Sequence, residues 1–168
     1  KAANVIPAYA SLDYYFRAPN FAYAKEVAQK AEKIAESIAM ANGTTVETSV
    51  YECPYEDTVI NYKLAELLTE KYQELGLTDI EPVDEVATGS TDVGAVSYKC
   101  PTIQGYIKIA EDWVQGHSKE MADATISPAG KAGLIKAAQG IALVALQLLE
   151  EPETFAEVQK EQTETLSK

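Results

Sequence analysis

The stretch YASLDYYFRA, Tyr9 to Ala18, alternates in character. Leu12, Tyr14 and Phe16 fall on one side, and Asp13, Tyr15 and Arg17 on the other. Side chains of an extended chain point to opposite faces with a period of two, so this pattern predicts a half-buried strand. Pro19 ends it, and Asn20 is suited to cap the helix that follows. From Phe21 to Asn42, Ala24, Val27, Ala28, Ala31, Ile34, Ala35 and Ile38 recur at helical spacing, which predicts an amphipathic helix. Gly43 stands just past its end, where a left-handed residue is wanted. Thr44 to Tyr51 (TTVETSVY) is β-branched and alternating, and predicts a second strand. Residues 1–56 are therefore expected to form a strand–helix–strand unit.

The polar, proline-containing run Glu52 to Thr58 is the best candidate boundary, so residues 57–168 are expected to form a second domain. Its first element is an amphipathic helix over Val59–Leu75, closed by Gly76. Ala87 to Ser97 (ATGSTDVGAVS) has no period and many small residues, and reads as a loop. Thr102 to Ala110 (TIQGYIKIA) reads as a strand, and Trp113 to Ala124 holds Gly116-His117-Ser118 and a short helix. Pro128 opens a long helix to about Glu150. Leu134, Ile135, Ala138, Ile141, Ala142, Ala145, Leu146 and Leu149 are its expected inner face, widened by Leu143 and Val144, which predicts a well-buried helix. Pro152 breaks it, and Glu153 to Lys168 is a charged helix or tail. The expected class is thus α+β or α/β.

The 168 residues carry 26 acidic and 14 basic side chains, a net charge of −12 with the single histidine neutral. Such a chain repels phosphate backbones and anionic lipid, so neither nucleic acid nor membrane is an expected partner. Hydrophobic residues at 46% and charged residues at 24% are the composition of a soluble globular protein. The most apolar stretch, Ala137 to Leu149, is broken by Gln139, Gly140 and Gln147 and is expected to be too short for a membrane span. The chain starts at Lys1, and residues 1–7 lack the apolar core of a signal peptide, so it is expected to be part of something longer. Two cysteines, Cys53 and Cys100, are too few for a disulfide scaffold, and both are expected to be reduced, buried thiols in a cytoplasmic protein.

Three features carry candidate chemistry. His117, the one imidazole, suits a metal ligand or a general base, but a single histidine is not a site, and an exposed loop histidine is the commoner case. Gly89 to Gly94 (GSTDVG) offers the Asp92 carboxylate, two hydroxyls and backbone N–H groups. It lacks the GK[ST] ending of a phosphate loop, and a tight turn with a capping Asp explains it equally well. Arg17, the one arginine, suits bidentate binding of a carboxylate, against the commoner reading of a surface ion pair.

Taken in order, AANVIPAYASLDYYFRAP (Ala2 to Pro19), GSTDVGAVSYKCPTIQ (Gly89 to Gln104), GHS (Gly116 to Ser118) and an alanine-rich helix ending LLEEPE (Leu148 to Glu153) resemble the C-terminal part of a metallopeptidase family. The family is the zinc-dependent aminoacylase/carboxypeptidase-type amidohydrolases, and the nearest branch is the aminobenzoyl-glutamate hydrolase-like one. The resemblance implies that residues 1–56 are part of a lid and dimerisation domain, and residues 57–168 the C-terminal part of a zinc-peptidase-like α/β catalytic domain. It implies a divalent metal, two zinc ions or manganese, with His117 as a ligand. Asn4 and Arg17 are implied to hold the substrate's carbonyl or carboxylate oxygens, and Gly89, Ser90, Thr91 and Asp92 to line the cleft. The implied substrate is a small N-acyl amino acid, dipeptide or aminobenzoyl-glutamate-like amide. The implied assembly is a homodimer, with this chain inactive by itself because the family's early metal motifs lie upstream. The alternative is a stand-alone dimerisation or interaction module.

Overall fold

A computed structural model describes residues 4–81 and 89–167. Its described elements are helices α1 (Phe21–Ala41), α2 (Tyr62–Glu74), α3 (Val93–Ser97), α4 (Lys119–Ile126), α5 (Pro128–Glu150) and α6 (Pro152–Leu166). The chain divides into two compact units, Lys1–Pro54 and Tyr55–Lys168.

No strand occurs among the described residues, which overturns the expected α+β or α/β class and the strand–helix–strand unit. The alternation over residues 9–18 is present in the backbone, since the Tyr14 and Phe16 rings lie on one side, with centroids 6.1 Å apart. What is missing is a partner. An extended run becomes a strand only when a neighbour receives its N–H and C=O groups in register. Residues 9–18, 44–51 and 102–110 form no such ladder. Leu12 and Tyr14 are accordingly exposed at 77% and 62% rather than half-buried.

In the first unit α1 begins and ends where its capping residues require. The Asn20 side chain accepts from the Tyr23 N–H at 2.9 Å, and Gly43 takes φ +64° beyond the C-terminus. Ala39 is its buried residue, while Ile34 and Ile38, expected inside, are exposed. The Tyr15 hydroxyl donates to Glu52 at 2.9 Å, and its ring meets Tyr51 edge-on at 5.9 Å, joining the two extended arms of this unit.

The second unit has its core in Leu67, Leu68 and Tyr72 of α2, Val144 of α5 and Val158 of α6. Leu64, Leu75, Leu77, Ile80, Ile103 and Leu148 pack against it. Helix α2 starts three residues later than the apolar pattern suggests, because Asn61 caps it by accepting from Leu64 N–H at 2.9 Å. Glu161 of α6 reinforces the same end, accepting from the N–H groups of Tyr62 (3.1 Å) and Lys63 (2.8 Å). A carboxylate there is favoured by the helix dipole as well as by the bonds. Helix α5 opens on Pro128 with Ser127 as cap, and Pro152 begins α6, so the charged C-terminal run is a packed helix.

Helix α5 is turned the opposite way from expectation. Its buried residues are Gly130, Gly133, Gly140 and Val144, while Leu134, Ile135, Ile141 and Leu149 are exposed at 59–81%. The small face lets the backbone come close to its neighbours, and a Cβ on Gly140 would run into the Tyr72 ring. The expected buried helix is therefore corrected: only 17% of its most apolar window is buried. The length argument against a membrane span is corrected too, since its 23 residues, with a mean hydropathy of 1.6 over the most apolar 18-residue window, suffice to cross a bilayer by length and composition alone.

Two substitutions test this orientation. In an unconstrained helix Gly→Ala gains roughly 1 kcal/mol. At Gly140 the added methyl overpacks a buried ring, and we expect Gly140→Ala to lower stability by about 1–2 kcal/mol in urea unfolding. Ile141→Gln, one residue on, is expected to change stability by less than about 0.5 kcal/mol. The reverse ranking would show that the large apolar face is the inner one.

Candidate functional site

Asn4 and Arg17 lie in the first unit, both exposed, Asn4 in a turn and Arg17 on the extended arm before α1. Gly89, Ser90, Thr91, Asp92 and His117 lie in the second unit. Ala87 and Thr88, part of the expected loop, fall outside the described residues. The rest of that loop is only half irregular, because Val93 to Ser97 is α3.

The turn at 89–94 is built differently from a capping-Asp turn. Asp92 makes no side-chain bond to the helix start. Instead the Thr91 hydroxyl accepts from Val93 N–H and donates to the Asp92 carboxylate, each at 3.4 Å, while Gly94 N–H donates to the Thr91 carbonyl at 3.4 Å. These bonds are long, so they hold the turn weakly. The firm contact is at Gly94, which is buried against the carbonyl of Glu56 so closely that a side chain has no room. The second glycine of GSTDVG thus has a packing reason.

His117 is exposed in the loop before α4 and takes φ +58°, the one non-glycine residue with positive φ among those described. That conformation is uncommon for a side-chain-bearing residue. Next to it Ser118 accepts from Met121 N–H at 3.1 Å and donates to the Gln115 carbonyl at 2.7 Å, so the turn is pinned by the helix cap.

A metal site needs several ligands converging on one point. Among the described residues no group of three or more His, Cys, Asp or Glu side chains gathers in that way. The described residues of this chain therefore do not fit a complete metal centre, and His117 does not make one alone. Both cysteines are free and exposed, which corrects the expectation that they are buried.

Sequence reasoning missed the most buried polar groups of this region. Asn61 and Ser97 are fully buried. The Asn61 amide donates to the Val158 carbonyl at 2.9 Å. Ser97 Oγ donates to Gly94 O at 2.6 Å and accepts from Val59 N–H at 2.8 Å. The helical pattern starts at Val59, which puts Asn61 inside the expected helix, and Ser97 carries no signal. Tyr98, beside it, donates to Asp57 at 2.9 Å. Partial burial, and then the Asp57 carboxylate, push its phenol up to about 12.

The chain is similar along most of its length to two curated dipeptidases. It is similar to the Xaa-Arg dipeptidase of Mus musculus, 32% identical over 160 residues, and to the Xaa-Arg dipeptidase of Homo sapiens, 29% identical over 160 residues. Each match covers 94% of this chain, and the chain spans 37% and 36% of those relatives. No family model matches it. The likeness to dipeptidases accords with the peptidase resemblance carried by the sequence motifs and leaves its aminobenzoyl-glutamate branch untested.

Tyr98 gives the region a pH signature. A phenol whose folded pKa is raised stabilises the fold while it keeps its proton, and that contribution disappears as pH climbs from the unfolded value of 10 through about 12. We expect Tyr98→Phe to be less stable than the parent at pH 8 and to lose less further stability between pH 10 and 12. Parallel unfolding curves for the two proteins across that range would show that Asp57 does not hold the phenol.

Proposed function

We propose that this chain is part of a hydrolase that cleaves the amide bond of dipeptides or N-acyl amino acids. The observation that carries this reading is the match to two dipeptidases along nearly the whole chain. The ordered motifs at residues 2–19, 89–104, 116–118 and 148–153 support it independently. On this reading residues 1–56 serve as the substrate-gripping and dimer-forming part, and residues 57–168 as part of the catalytic domain. The free cysteines fit a reducing, cytoplasmic setting.

Within that reading the described residues bind and orient. The Arg17 guanidinium presents a planar fork that matches a terminal carboxylate. The Asn4 carboxamide donates to a carbonyl oxygen. The turn at 89–94 offers backbone N–H groups and the Asp92 carboxylate. His117 is the proposed metal ligand of the chain, its companions lying outside the described residues, and the bond-breaking chemistry is not supplied by the groups described. The relatives' name points to arginine as the second residue of the dipeptide. A net charge of −12 favours a cationic substrate over an aminobenzoyl-glutamate, because the protein's field draws positive groups in.

The test is hydrolysis by the intact gene product, supplied with zinc or manganese, of Xaa-Arg dipeptides, N-acyl amino acids and aminobenzoyl-glutamate. Cleavage that is fastest for Xaa-Arg and abolished by chelation is expected. Arg17→Ala should raise KM about 10–100-fold, the loss of a charge-assisted bond of roughly 1.5–3 kcal/mol. No cleavage across the whole panel would sink the enzymatic reading and leave the interaction-module alternative.

A further inference from the structure

Gln162 is buried in the C-terminal half of α6 and is 6% exposed. Its Nε2 donates to the Ser97 carbonyl at 2.6 Å, across 65 residues of chain. Its Oε1 is buried and without a hydrogen-bond partner. An unpaired buried acceptor is destabilising, so stability alone gives little reason for an amide here. The one polar gain it makes is the bond to Ser97.

Ser97 is the hub through which that bond acts. Its hydroxyl joins Gly94 O and Val59 N–H, at 2.6 Å and 2.8 Å. Gly94 in turn sits hard against the Glu56 backbone. The turn from Gly89 to Gly94 leads straight into this cluster, while the three bonds made by Thr91 within it are each 3.4 Å long. On its C-terminal side the turn is held by groups gripping α3.

We propose that Gln162 is a positioning residue that holds Ser97 and, through it, fixes the turn at residues 89–94 against the segment 56–59 and α6. The consequence for substrate binding rests on the reading that this turn lines a peptidase cleft. The mechanical part does not.

The experiment is hydrogen exchange on the intact gene product, wild type and Gln162→Met. Methionine keeps the volume and helix propensity but has no N–H to donate. Amides of residues 93–100 should exchange at least tenfold faster in the variant, with α2 and α5 within twofold of wild type. No change at 93–100, or an equal rise everywhere, overturns the proposal. Should the variant fail to fold, wild-type exchange at low denaturant decides instead. Residues 93–100 should then open together with 158–166 as one unit, and independent opening of the two overturns it. In the peptidase assay Gln162→Met should raise KM several-fold with kcat little changed. A wild type that cleaves nothing removes the catalytic consequence and leaves exchange to decide the positioning. A wild type that cleaves, with a variant unchanged in both KM and exchange, overturns the positioning and leaves the peptidase reading standing.

Discussion

Asn61 is fully buried, and its side-chain amide serves two elements at once. Its oxygen caps α2 through Leu64 N–H, and its nitrogen reaches the Val158 carbonyl of α6. A buried amide is costly unless both of its ends are paired, so the two bonds together tie the start of α2 to the middle of α6. Glu161, three residues beyond Val158, closes on the next two N–H groups of α2, and Gln162 reaches Ser97. Residues 158, 161 and 162 occupy one face of a helix. That face organises the polar interior of the second unit, although its sequence reads as a charged tail.

Helix α5 works by the opposite device. It comes near α2 through Gly140, against Leu68 and Tyr72. Gly133 does the same against Ile107 and Ile109. Close packing of a helix along a glycine face gains dispersion contacts along its length, and it leaves the large side chains pointing away. The exposed Leu134, Ile135, Ile141 and Leu149 follow from that choice.

What could be read from the sequence was local. Asn20, Gly43, Gly76, Pro128 and Pro152 each act within one turn of their own position, and the helices begin or end there. What could not be read depends on partners distant in the chain. Alternation at residues 9–18 specifies which side chains share a face but not whether a neighbouring strand exists. Hydrophobic periodicity in α5 was read as inward for large residues, and the inversion arises because a glycine face packs closer than a leucine face can. Among candidate site residues, the turn at 89–94 could be recognised by its small residues, whereas its anchors Ser97 and Gln162 carry no local signature. His117 was identifiable only as the sole imidazole, and its positive φ is set by a turn that Ser118 pins.

The groups that hold the 89–94 turn share one further property. Val59 N–H, the Ser97 hydroxyl, the Gly94 and Ser97 carbonyls and the Gln162 amide do not titrate between acid and alkaline pH. Glu56 contributes its backbone carbonyl to the packing at Gly94, not its carboxylate. Tyr98, the nearest phenol, keeps its proton to about 12. The anchoring bonds of Val59, Ser97 and Gln162 therefore hold without a change of charge, and the ionisable group inside the turn is Asp92, which accepts from the Thr91 hydroxyl.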